Sequence, residues 1–89
     1  MKTLTVGSKA YFDSFSGLVP CVVTDIRADR DYSHSYRIFV RFTAKRGPYR
    51  KGEIYESSHL HIVPREAVHV RSGQYRIGAY SVQPREDTI

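Results

Sequence analysis

Apolar and polar residues alternate with a period of two through much of this chain, and no stretch of ten or more residues sustains a helical period. The clearest alternation runs over residues 36–43. Tyr36, Ile38, Val40 and Phe42 share one face, assigned to the core, and Arg37, Phe39, Arg41 and Thr43 share the other. Upstream, Val6-Gly7 marks a turn, and Ala10 and Phe12 alternate within a strand predicted at about 9–13. Asp13 to Gly17 is a turn-rich loop centred on Phe15. Residues 18–26 are short and β-branched and predict a second strand. Pro20 has no N–H to donate, so it belongs near the strand start or on an edge. Strict alternation then places Val22, Thr24 and Ile26 on one face and Cys21, Val23 and Asp25 on the other.

Residues 27–35 are polar, lack periodicity and read as a loop. After the strand at 36–43, Gly47-Pro48 turns the chain within Lys45–Gly52, a hairpin expected to project from the sheet. Glu53 to Glu56 leads the chain back. His59 to Val63 alternates again, with Leu60 and Ile62 expected inward. Pro64 to Ala67 suits one helical turn with proline at its first position. Residues 68–71 predict a strand, Ser72-Gly73 a tight turn, and residues 74–82 the returning strand. Residues 84–89 form a polar tail expected to fray. These elements make one all-β domain over residues 1–89, with five to seven short antiparallel strands and one helical turn near 64–67. Closure into a small barrel is preferred because it removes exposed edges. A monomer or a homodimer paired through an open edge is expected.

Charge changes this picture in one place. The chain has 14 Lys+Arg against 9 Asp+Glu, a net charge of +5. Five of those cations, Arg41, Lys45, Arg46, Arg50 and Lys51, lie in eleven residues without an acid; the other nine balance the nine acids. The sequence pI near 9.6 favours an acidic partner, either nucleic acid or an acidic protein surface. The single cysteine forms no intramolecular disulfide, so a reducing, cytoplasmic setting is expected. No run approaches the ~20 apolar residues of a membrane span.

The opening Val6-Gly7-Ser8-Lys9-Ala10 resembles the start of SH3-like barrels of the Tudor and KOW kind. The loop and strand that follow, with Val19-Pro20-Cys21-Val22-Val23-Thr24-Asp25-Ile26, extend that likeness over about the first third of the chain. Val63-Pro64-Arg65-Glu66-Ala67-Val68 could supply the one-turn helix that precedes the last strand of such barrels. The resemblance implies a binding module for RNA, DNA or protein tails. The chain departs from peptide-binding SH3 domains, which carry an acidic loop and paired Trp, and no basic-Gly pair follows the first loop as in a KOW core.

Phosphates need cations, and aromatic faces stack on unpaired bases. Arg37, Phe39 and Arg41 on the outward strand face, continued by Lys45, Arg46, Tyr49, Arg50 and Lys51 in the hairpin, provide both. Phe39 and Tyr49 are the stacking candidates. The competing reading is a solvated charged turn, with Phe39 covered by a later segment. His59 and His61 at i, i+2 would face one way on a strand, with His69 and Cys21 as further ligand candidates. No Cys-x-x-Cys or His-x3-His pattern supports a metal. Scattered carboxylates and the absence of a phosphate-binding glycine loop argue against an enzyme and against a cofactor. Tyr11, Phe12, Phe15, Tyr32 and Tyr36 cluster near the first loops and could form an aromatic cage, although ordinary packing explains them better.

Overall fold

A computed structural model describes residues 3–28 and 35–84. The predicted loop residues 29–34, with Tyr32 and His34, and tail residues 85–89 lie outside the described residues. The strands are β1 (Thr3–Leu4), β2 (Lys9–Ser14), β3 (Gly17–Ala28), β4 (Tyr36–Phe42), β5 (Ile54–Ser58), β6 (Ile62–Pro64), β7 (Val68–Arg71), β8 (Gln74–Ile77) and β9 (Ser81–Val82). Two 3-10 turns, His59–His61 and Arg65–Ala67, are the only helical elements among the described residues. The protein is therefore all-β with short helical turns. Among the described residues no helix is long and apolar enough to cross a membrane.

Five strands form one antiparallel sheet in the order β5-β4-β3-β2-β6. Its inner face is built by alternation: Ala10 and Phe12 of β2, and Ile38, Val40 and Phe42 of β4, are all buried. Tyr36 packs against the same core. Each fully buried Ile, Val, Leu or Phe side chain contributes about 1.5–3 kcal/mol by leaving water, so these rows set which face turns inward. Among the described residues no ladder joins β5 to β6.

The alternation predicted for β3 fails at one residue. Val19, Cys21 and Val23 are buried, and so is Ile26, although Val23 and Ile26 have opposite parity. The register against β4 shifts between Val23 and Asp25. The extra residue is Thr24, whose Oγ1 donates to the Phe39 carbonyl at 3.1 Å. This β-bulge lets both halves of a twelve-residue strand point apolar side chains into one core. Pro20 is tolerated because it lies just past the end of the β3–β4 ladder. Its carbonyl accepts the Thr43 N–H at 2.9 Å, and the return bond it cannot donate would be the last rung.

Two predicted strands differ from what forms. Over residues 59–63, a 3-10 turn takes His59–His61 and only Ile62–Pro64 is extended. Ser58 caps the turn, its hydroxyl accepting the Leu60 N–H at 3.3 Å, and Leu60 is 72% exposed rather than inward. His59 and His61 consequently share no strand face. At 64–67 the helical turn forms as Arg65–Ala67, with Pro64 as its N-cap at the end of β6. The strand predicted over 74–82 is split. β7 and β8 form a hairpin through Ser72 (φ 54) and Gly73 (φ 77), two positive-φ residues as a type I′ turn requires. Beyond Gly78 the chain leaves the hairpin, and β9 pairs in parallel with β1, which alternation does not reveal in two residues. Leu4 enters the core through this pair, and the Tyr80 hydroxyl lies 3.0 and 2.9 Å from the carbonyls of His59 and Ile62.

Cys21 is a core residue. Burial pushes its thiol up from 9.0 to about 12, against a smaller opposing pull from the Arg65 guanidinium. A folded pKa above the unfolded one means the native state holds the proton more tightly. The associated stability is full below pH ~9 and is lost as pH rises toward ~12. Urea unfolding at increasing alkaline pH should show a midpoint falling more steeply for the native chain than for Cys21→Ala. Equal slopes would contradict this assignment.

Candidate nucleic-acid interface

Residues paired across an antiparallel ladder share a face, so the register fixes the surroundings of the outward β4 side chains. Arg37 lies between Arg27 and Ser58, Phe39 between Asp25 and Glu56, and Arg41 between Val22 and Ile54. Two carboxylates thus enter the basic face. Arg37 Nε is 3.2 Å from Glu56 Oε1, and Arg27 Nε is 2.7 Å from Asp25 Oδ2. The Arg27 guanidinium also stands 5.3 Å from the centre of the half-buried Phe39 ring. Exposed ion pairs such as Arg37–Glu56 are worth about 0–1 kcal/mol, so a phosphate could replace Glu56 at little cost, whereas the Asp25 carboxylate is half-buried and also accepts the Ile26 N–H at 2.9 Å. Arg41 is exposed beside Ile54, an apolar residue that is itself exposed.

The segment joining β4 to β5 is a double turn. Arg46 and Tyr49 exchange backbone hydrogen bonds of 3.0 and 2.9 Å around Gly47 (φ 54) and Pro48. Gly52 (φ 88) then donates to the Phe42 carbonyl at 2.8 Å, while Phe42 N–H donates to the Glu53 carbonyl at 3.0 Å. This segment does not project as a free arm. A Cβ on Gly47 would lie 2.5 Å from Ser16 Oγ, so the turn is seated against the β2–β3 turn, and only glycine provides both the φ and the approach. Its cations face solvent: Lys45, Arg46, Arg50 and Lys51 are exposed. Among the described residues none of these four, nor Arg41, forms an ion pair.

Tyr49 corrects the expected surface. It turns inward, with ring centroids 5.3 Å from Phe12, 5.3 Å from Phe42 and 5.9 Å from Tyr55. Phe39 and Phe42 are three residues apart in β4 and so lie on opposite faces, and Tyr49, packed on Phe42, does not continue the surface of Phe39. The structure instead defines two regions. One is the outward sheet face with Arg37, Phe39 and Arg41. The other is the cationic double turn, which has Tyr49 beneath it.

The remaining candidates separate. Tyr36 meets His59 rather than the first-loop aromatics, with ring centroids 5.9 Å apart, and His59 Nδ1 accepts the Tyr36 N–H at 3.2 Å. Among the described residues no group of three His, Cys, Asp or Glu side chains could hold a metal ion. Arg65 is a structural cation: its Nε donates to the Ala10 carbonyl at 3.2 Å and its guanidinium stands 5.3 Å from the centre of the Tyr11 ring. Two basic features escaped the sequence reading. Arg27 joins the outward face because β3 runs on to Ala28. On the β7–β8 hairpin, His69 pairs with Arg76 and Arg71 with Gln74, so three basic side chains share one face. The signal for the hairpin was the absence of any acid between Ala67 and Pro84. No protein-family model, curated protein or solved structure matches the chain.

Proposed function

We propose that this domain is a non-enzymatic nucleic-acid-binding module. The observation that carries this reading is the group of five cations, Arg41, Lys45, Arg46, Arg50 and Lys51, left without carboxylate partners among the described residues on β4 and its following turn. A strand end and turn that group five exposed cations gain from a polyanion that releases its counterions on binding. Arg37 and Arg41 would hold phosphates on the sheet face, and Phe39 offers an aromatic surface between them. The five-stranded order β5-β4-β3-β2-β6, with a 3-10 turn before β6, supports an SH3-like reading of the domain. A reducing, cytoplasmic setting belongs to the same proposal, as does a monomer or an edge-paired dimer.

A second reading, a protein-interaction module or inhibitor docking on an acidic protein, has one observation in its favour. Exposed Ile54 beside Arg41 is the mixture of apolar and cationic surface that protein interfaces use. Fluorescence anisotropy with single- and double-stranded oligonucleotides over a range of salt separates the two. The favoured reading predicts binding at low salt that weakens log-linearly, with a slope of roughly 0.7–0.9 per phosphate neutralised. Absence of binding at low salt would sink it.

A further inference from the structure

The aromatic residues on the inner side of the double turn do not all disappear into the core. Phe12, Phe15, Tyr49 and Tyr55 line an open cavity of about 450 Å³, with Asp13 and His61 among its polar lining groups. That volume is in the range of sites that take a small planar ligand. Three of the rings hold one another in place: Phe12 lies 4.9 Å from Tyr55 and 5.3 Å from Tyr49, centre to centre. Phe15 is different. It stands fully exposed on the β2–β3 turn. Local bonds fix that turn: the Ser14 hydroxyl donates to the Gly17 carbonyl at 2.7 Å and accepts the Ser16 N–H at 3.1 Å. The chain therefore presents a large apolar ring to water on a well-defined turn.

The cavity is bounded by two turns that touch. Ser16, next to Phe15, is the residue that the missing Cβ of Gly47 would strike. Gly47 belongs to the turn that carries Arg46 and Tyr49, and Arg50 follows directly. One turn brings an exposed aromatic ring, and the other brings a cavity wall flanked by exposed cations that form no ion pair among the described residues.

We propose that this cavity receives an unpaired nucleobase, which stacks on Phe15 and Tyr49 while Arg46 and Arg50 hold the neighbouring phosphates. The proposal rests on the nucleic-acid reading above and narrows it to single strands. A planar base supplies the π-face that an exposed phenyl ring lacks a partner for, and its phosphates supply the charge that the adjacent turn lacks. Asp13, whose Oδ1 already accepts the Tyr75 hydroxyl at 2.8 Å, and His61 provide polar groups toward the base edges. In a duplex the bases are stacked and paired, so the cavity would play no part.

The test uses the full chain with a short labelled single strand, the matching duplex, and a strand of the same length in which abasic sites replace the bases. Phe15→Ala should weaken single-strand binding roughly 5- to 150-fold, the range for one lost base–aromatic stack, and leave duplex binding unchanged. The abasic strand should bind the native chain at least as weakly as the normal strand binds the variant, since it also loses any stacking on Tyr49. The chain has no Trp, so Phe15→Trp adds a single fluorophore, which should retain affinity and be quenched by the bound single strand. Single-strand affinity unchanged in Phe15→Ala, or equal affinity for the abasic strand, overturns the base pocket. The nucleic-acid reading then survives if the duplex still binds in a salt-dependent way. If no oligonucleotide binds at all, both fail.

Discussion

Changing Arg46 and Arg50 together to Glu is expected to weaken binding to any oligonucleotide by about 100-fold at moderate salt and to flatten its salt dependence. Two attractive cation–phosphate contacts become two repulsive ones. At ~4 Å in water each unit-charge contact is worth about 1 kcal/mol, and salt screening reduces the sum of these changes to roughly 2–3 kcal/mol. Loss of two phosphate contacts alone should lower the salt slope by about 1.4–1.8. The fold should tolerate the change. Both side chains are exposed, and the Arg46–Tyr49 bridge that shapes the turn is made by backbone atoms. Thermal unfolding checks this directly, with a midpoint close to that of the native chain. A variant that folds normally and binds oligonucleotides as before would remove the double turn from the interface. Loss of capture by an acidic protein, with a shallow salt response, would favour the docking alternative.

The largest effect on stability is expected at Phe42. Its side chain is 1% exposed, and its ring centroid lies 6.0 Å from Phe12, 5.3 Å from Tyr49 and 5.8 Å from Tyr55. Its backbone also closes the double turn through Gly52 and Glu53. Phe42→Ala removes buried surface and leaves a cavity that the surrounding sheet cannot fully close, a change that costs about 3–5 kcal/mol. A domain of this length holds roughly 4–13 kcal/mol in total, so the variant should be marginal or unfolded at room temperature. Urea denaturation measures the effect, as a midpoint lowered by several molar or a transition already complete without denaturant. Phe42→Leu keeps most of the volume and should fold, at a clearly smaller cost. If Phe42→Ala unfolds with the native midpoint, the aromatic cluster is not the centre of the core.

These two expectations draw on different information. The inward row Ile38, Val40 and Phe42 was legible from alternation alone, because a strand has a side-chain period of two and water excludes one face. The cluster of cations in residues 41–51 was equally legible, since it depends only on counting. Local sequence also set the turns at Gly47-Pro48 and Ser72-Gly73, where few residues adopt the required backbone. In each case the cause lies within a few residues of its effect.

Tertiary structure decided the rest. Thr24 takes the bulge in β3 because both ends of a long strand must face one core, a demand set by β4 and not by the β3 sequence. His59–His61 leaves the strand period because Ser58 caps a turn and the Tyr36 N–H is met by His59 Nδ1. The parallel pairing of β1 with β9 joins segments 78 residues apart, as in Thr3 and Ser81, and two-residue strands carry no period to detect. Partner choice across the sheet brought Glu56 to Arg37 and stacked Arg27 on Phe39, which changed an apparently bare basic floor into a partly neutralised one. It also turned Tyr49 away from Phe39. The sequence by itself determined an all-β chain, its inward β4 row and its concentration of positive charge, because hydrophobic period and charge are local properties. Which aromatic rings share a cavity, and which cations find a carboxylate among the described residues, were settled only when distant strands came into register.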